Sequence, residues 1–173
     1  EQAMELKAQW DRTGEGKVYV GYGTTRGIFP MFNPETQAEP AMLDARARQA
    51  LYFAVDRETW AGAMLAGRKE NTAYEILPPD HPMYEFVKDG LRSYRYDVAQ
   101  AQRLLQELGW DRASDGSLRN RADGRAFRIE LWTTQGSEME TSILADMWGQ
   151  LGIESPQRII PNAQQGDRIL RQG

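Results

Sequence analysis

Between Phe127 and Ile160 the apolar period changes twice, and this constrains the fold more than any other feature of the sequence. Phe127, Ile129 and Leu131 alternate as one face of a strand, with Arg128, Glu130 and Trp132 on the other. Ser137 and Glu140 then have the spacing of a capping box. They open a helix whose apolar stripe is Leu144, Met147, Trp148 and Leu151 and which stops at Gly152. Ile153 to Ile160 reads as a second strand. Two strands joined by a helix are parallel neighbours, because only a long crossover returns the chain to the same end of a sheet. The expected fold class is therefore α/β.

The rest of the chain supplies helices and one long irregular stretch. Residues 1–10 fit a helix running into a turn at Gly14 to Gly16, and Lys17 to Tyr22 alternates like a strand. Asp44 is placed to cap a helix burying Ala47, Ala50, Leu51, Ala54 and Val55. Asp56 caps a second helix carrying Trp60, Met64 and Leu65, closed by Gly67. Residues 68–95 read as an extended loop, since "ILPPDHPMYEF" holds Pro78, Pro79 and Pro82, and a loop of this length inside a domain usually has a role. Asp97 and Gln100 form a capping box for a helix burying Ala101, Leu104, Leu105 and Leu108. A left-handed cap at Gly109 would set Trp110 back against Leu105. Asp123-Gly124 is a hairpin signal, and Asn162 caps a last short helix.

Composition removes several classes of function. A net charge of −4 gives no basic footprint for nucleic acid. The absence of cysteine excludes disulfides, thiolate nucleophiles and Cys-ligated metals, and is compatible with the cytosol or with export. No apolar run approaches the roughly 18 residues that span a bilayer. The glycines of "VGYGTTRG", Val20 to Gly27, follow an apolar run as a phosphate loop does. However, Pro30 and Pro34 in "IFPMFNP" forbid the helix whose amides would hold the phosphate, and no Gly-Lys-Ser/Thr follows. His81 is the one histidine, without the Cys or His partners of a metal site, and is either a functional group or an ordinary loop residue. No G-x-S-x-G and no carboxylate pair stands out. The chain is expected to be no enzyme and to need no cofactor or metal.

Binding remains. "TTQGSEME", Thr133 to Glu140, joins the carboxyl end of a strand to a helix N-terminus, where ligands of open α/β sheets settle. The amides of Gly136 to Met139 are placed to receive an anion; alternatively, Ser137 and Glu140 only cap the helix. Trp60, Trp110 and Trp148 fall at core or cap positions, whereas Trp132 and Phe29 fit no helical stripe and are candidates to line a cleft.

The order of these segments resembles the extracytoplasmic solute-binding proteins of the peptide/nickel type (solute-binding protein family 5), which serve ABC importers. The likeness is carried by "RQALYFAVDRETWAGAMLAG" at Arg48 to Gly67 with Phe32-Asn33 upstream, and by the "LPP" and "P-x-Y" loop at Leu77 to Tyr84. It continues in "YRYDVAQAQRLLQELGW" at Tyr94 to Trp110, the "DGR-FRIELWTT" strand, the helix ending "LGIE", and "ILRQG". It implies a type II periplasmic-binding-protein-like lobe with a mixed sheet and flanking helices, present as an incomplete fragment of the carboxy-terminal lobe. Residues 1–173 would form one partial domain: a connecting strand at about 17–33, a helical segment at about 44–67, the loop 68–95, and a helix, hairpin and βαβ unit over 97–173. The chain begins at Glu1 without a leader and stops after a helix-like run, in keeping with a piece of a longer protein. The implied partners are a peptide or small-molecule ligand, the permease subunits of an ABC importer, and the missing amino-terminal lobe, in an exported, periplasmic or extracytoplasmic parent.

In peptide-binding members of that family the strand before the Phe-Asn position runs along the ligand cavity. By that resemblance Thr24, Arg26 and Phe29 face the ligand, as do Trp132, Thr134, Gln135 and Ser137 of the second loop. Arg26 either pairs with a ligand carboxylate or phosphate or is a surface arginine. Dipeptide-binding relatives hold the peptide carboxylate with an arginine near the start of the helix after "LWTT", but this chain has "GSEMETS". Glu138 and Glu140 there favour a cationic or neutral ligand, or a longer peptide held by its backbone. The alternative is that the same lobe serves as the ligand sensor of a transcription regulator.

Overall fold

The computed structural model describes residues 2–19, 27–64, 72, 74, 75, 77 and 81–167. Helix α1 (Gln2–Thr13) buries none of its residues, and the core begins with a 3-10 turn at Pro40–Leu43 that contributes Met42. Asp44 caps α2 (Ala45–Phe53) by accepting from the Arg46 amide at 2.8 Å. Asp56 accepts from the Thr59 amide at 3.0 Å ahead of α3 (Arg57–Met64). Ala47, Ala50, Leu51, Ala54 and Val55 are all buried, as their spacing predicts. Within the stretch expected to be wholly irregular lie a helical turn, α4 (Tyr84–Val87), and a 3-10 turn at Lys88–Gly90.

Helix α5 (Val98–Glu107) packs on α2. Asp97 Oδ1 accepts from the Gln100 amide at 2.9 Å, and the Asp97 amide donates to the Phe53 carbonyl at 2.8 Å, tying the start of one helix to the end of the other. The capping box is only half made, because the Gln100 side chain accepts from Arg103 instead. Arg57 donates to the Tyr94 carbonyl at 2.8 Å and to the Tyr52 carbonyl at 3.3 Å, and its burial pulls its pKa down. After α5, Gly109 turns the chain at a φ of +85°. Trp110 is 1 % exposed and meets the Phe127 ring edge-on at 4.5 Å.

Trp110 also opens a strand, where its spacing after Gly109 predicts only packing against the cap. β1 (Trp110–Arg112) pairs antiparallel with β2 (Leu118–Asn120), Trp110 opposite Asn120. A third segment joins them through the Arg119–Ala126 bridge and a Phe127 amide donating to the Leu118 carbonyl at 2.9 Å. Its turn is the Asp123-Gly124 pair, with Gly124 at a φ of +71°.

The expected crossover is present. β3 (Leu131–Thr134) and β4 (Gln157–Ile160) are parallel, with Leu131 opposite Gln157 and Thr134 opposite Ile160, and α6 (Glu138–Gly149) connects them. Pairing starts earlier, where the Glu154 amide donates to Phe127 and the Ile129 amide to Glu154. It is interrupted as ladder at Pro156, which has no amide to donate but whose carbonyl still accepts from Leu131 at 2.8 Å. Leu144, Met147, Trp148, Leu151 and Ile153 join the α2–α5 residues in one core, and Trp148 Nε1 donates to the Leu51 carbonyl at 3.2 Å. Lys17 to Tyr19 do not form a strand; Val20 to Tyr22, Leu65 and Gly67 lie outside the described residues. Asn162 opens a 3-10 turn, Asn162–Gln164, rather than an α-helix over the described residues.

Candidate functional site

The carboxyl end of β3 turns into α6 through Gln135 and Gly136, both exposed, with Gly136 at a φ of +90°. The Ser137 amide donates back to the Thr134 carbonyl at 3.1 Å. Ser137 holds the N-cap position, yet its hydroxyl makes no capping bond, which corrects the capping box expected with Glu140. Glu138 Oε2 instead accepts from the Gly136 amide, just ahead of the N-cap, at 2.7 Å. The Ser137 carbonyl accepts from Thr141 Oγ1 at 2.9 Å and Thr133 Oγ1 at 3.3 Å, so the loop is bound on both sides. Of the amides expected to receive a ligand anion, Gly136 already holds a carboxylate of this chain and Ser137 a carbonyl. A negative Glu138 at the helix N-terminus opposes a second anion there.

Gln135 Oε1 accepts from the Asn162 amide at 3.4 Å, a contact between the loops that follow β3 and β4. Two residues back from the end of β3 at Thr134, Trp132 is 43 % exposed on the face that does not meet the core, as alternation predicts. Its Nε1 donates to Glu130 Oε2 at 2.6 Å, and the Arg158 guanidinium lies 4.4 Å from its ring centroid. Arg158 has no mark in the sequence that singles it out. The signal is the register of "LWTT" against "QRII", which sets Trp132 opposite Arg158 and is legible only once the pairing is known.

The structure thus brings Trp132, Thr134, Gln135 and Ser137 together at one strand end. Phe29 stands 92 % exposed on a segment whose neighbour Ile28 packs on the core, and among the described residues no ring contact joins it to Trp132. Thr24 and Arg26 lie outside the described residues. His81 Nδ1 accepts from the Met83 amide at 3.1 Å and so closes a turn. Among the described residues no group of three or more His, Asp and Glu is placed to hold a metal ion. Shallow concavities occur beside Gly109 and Arg121, and between Arg48 and Tyr94, and neither includes an expected ligand residue. The strand end is an open platform.

Comparison with known proteins agrees with this architecture. The family model of the bacterial extracellular solute-binding proteins, family 5 Middle, matches residues 4–173. The oligopeptide-binding protein AppA of Bacillus subtilis (strain 168) is 30% identical over 148 residues, 83% of this chain and 24% of that protein. Among solved structures, the oligopeptide-binding protein of Thermus thermophilus complexed with a pentapeptide superposes with a TM-score of 0.63 at 28% identity, over 77% of this chain and 22% of that one. NikA from Brucella suis in complex with Fe(III)-EDTA does so with a TM-score of 0.61 at 27% identity, over 72% and 24%. The chain thus spans about a quarter of the length of these relatives, and its fold class is the α/β, periplasmic-binding-protein-like one. With its βαβ crossover, its helices and its open strand end, the chain belongs to the bacterial extracellular solute-binding proteins of family 5.

Proposed function

We propose that this chain is a binding lobe, or part of one, of an ABC importer's substrate-binding protein, which takes up a peptide or another small solute and delivers it to a membrane permease. The observation that carries the reading is the strand end itself. A parallel pair sets an exposed tryptophan, a threonine and a glutamine at its carboxyl end, beside a loop already closed by its own bonds. Such a platform binds without transforming, in keeping with a family of binding proteins rather than enzymes. Trp132, Thr134, Gln135 and Ser137 contribute one wall, and Thr24, Arg26 and Phe29 contribute a second from the connecting segment. The amino-terminal lobe of the parent closes over both. Peptide is the leading ligand class because the relatives from Bacillus and Thermus are oligopeptide-binding proteins. With Glu138 on the Gly136 amide, the ligand group nearest α6 is neutral or cationic, or a stretch of peptide backbone. The parent is exported and works in the periplasm or at the outer face of the membrane.

Native mass spectrometry of the full-length parent, purified without denaturation from its own cells, tests this. A processed amino terminus and a retained peptide or small solute are expected. An unprocessed chain carrying an extra basic domain overturns the importer reading in favour of a sensor of a transcription regulator.

A further inference from the structure

The pair Trp132 and Arg158 has a consequence for what the platform binds. Arg158 is exposed and lies over the indole, and among the described residues no acceptor is bonded to its guanidinium. Glu130 accepts from the indole nitrogen through Oε2 at 2.6 Å, and among the described residues it makes no ion pair with Arg158. That bond fixes the ring, and the ring in turn holds the cation: the π face attracts the guanidinium while its N–H fork stays open to an acceptor. An arginine restrained in this way loses less side-chain freedom on binding than one swinging free in water. Arg128, on the same face in the segment ahead of β3, is paired with Glu154 at 3.6 Å. Among the described residues, Arg158 is therefore a cation of this exposed face without an ion pair, about 7 Å back from the strand end by the rise of two residues.

We infer that Arg158, held over Trp132, is the site that receives a carboxylate of the bound peptide, in bidentate fashion, with the apolar part of the adjoining residue against the indole. The inference rests on the peptide reading given above and deepens it. It also explains where an anionic group goes when the α6 N-terminus is closed to it by Glu138. The carboxylate is either the peptide's C-terminus or an acidic side chain; both offer the same two oxygens to the fork.

Isothermal titration of the full-length protein separates these outcomes. The probes are penta-alanine as the free acid, the same peptide as its C-terminal amide, and an amidated pentapeptide with glutamate at its centre. The expected result is that the acid binds at least about tenfold more tightly than the amide, and that Arg158→Gln removes this difference. If the glutamate peptide, rather than the free acid, carries the Arg158-dependent gain, the carboxylate is a side chain's. Equal binding of acid, amide and glutamate peptide overturns this inference and leaves the peptide reading intact. Binding of none of the three overturns the peptide reading and the inference with it. Arg158→Lys, which keeps the charge and loses the fork, is expected to restore part of the difference, and unchanged thermal melting of both variants shows that the fold is not what changed.

Discussion

Glu39 and Arg125, 86 positions apart, meet in an ion pair of 2.7 Å between Glu39 Oε2 and Arg125 Nη1. The Glu39 side chain is 3 % exposed, and its second oxygen accepts from the Ala41 amide at 3.0 Å. Arg125 lies 4.8 Å from the Trp110 ring centroid, so the cation ties the segment ahead of α2 to the β-meander around the buried tryptophan. Removing Arg125 leaves a buried carboxylate with only one amide to meet it.

Arg125→Ala should cost about 2–3 kcal/mol in urea denaturation, less than the roughly 3–5 kcal/mol of a wholly buried pair because the Arg125 side chain is 40 % exposed. Glu39→Gln should also destabilise, because its single carbonyl oxygen accepts from either Arg125 or Ala41 while its NH2 faces the other donor. A double-mutant cycle with a coupling energy near zero would show that the pair is incidental to the fold.

Gly152 and Gly124 have similar backbone angles, φ +85° and +71°, but very different surroundings. A Cβ at 152 would overlap the Gly116 carbonyl oxygen and lie 2.7 Å from the Leu118 nitrogen, both rigid backbone, whereas at 124 it would meet nothing within 4 Å. Gly124→Ala should therefore cost only the left-handed penalty of about 1–2 kcal/mol. Gly152→Ala carries that penalty and also pries apart the Leu118–Gly152 hydrogen bond of 2.7 Å, for a total of about 3 kcal/mol or more. Equal melting shifts for the two variants would refute the close packing of the α6 exit on β2.

Asp44 and Asp115 each contribute stability that acid removes. A side-chain hydrogen bond from Arg46 holds Asp44 down at about 2, and hydrogen bonds from the Ser117 hydroxyl and amide hold Asp115 at about 2, against an ordinary 3.8. Because both folded-state values are depressed, each contribution is complete above the ordinary value and drains away as pH falls towards about 2. The urea midpoint should drop over that window. Asp44→Asn and Asp115→Asn should each be less stable at neutral pH and lose less on acidification, and a wild-type midpoint flat between about pH 4 and about pH 2 would contradict the assignment.

What was legible in the sequence was what local spacing decides. Asp44, Asp56 and Asp97 announce helix starts because a cap and its stripe lie within one turn of each other; the alternation of Phe127 to Leu131 announces a paired segment, of which only Leu131 lies in the strand β3 and the rest pairs through isolated bonds. β1 and α4 are three and four residues long, too short for a period to show. Ser137 stands at the N-cap position as its place before the helix predicts, but its hydroxyl makes no capping bond, and Glu138 reaches back to the Gly136 amide ahead of the helix, which spacing alone does not show. Glu39 with Arg125 and Trp132 with Arg158 are products of chain pairing, and neither partner carries a local mark of the other. Of the platform, Trp132 was legible because it broke the apolar pattern; the guanidinium above it was not.

Trp132 and Trp148 separate binding from stability. Trp148 is 2 % exposed and its indole N–H is the donor that reaches the Leu51 carbonyl from α6. Trp148→Phe keeps most of the packed volume and removes that donor from a buried carbonyl, so it should cost about 1–3 kcal/mol. Ligand affinity, measured with the ligand recovered from the parent, should not change, since Trp148 faces the core. Trp132→Ala removes an exposed ring whose partners are an exposed glutamate and an exposed arginine, so its stability cost should stay near the roughly 0.5–1 kcal/mol of an exposed cation–π contact. Its effect belongs on affinity, which should fall by at least about tenfold if the indole is a wall of the ligand site. The opposite pattern, a Trp132→Ala variant that melts early and binds as wild type, would make this face of the β3–β4 pair structural and move the ligand elsewhere.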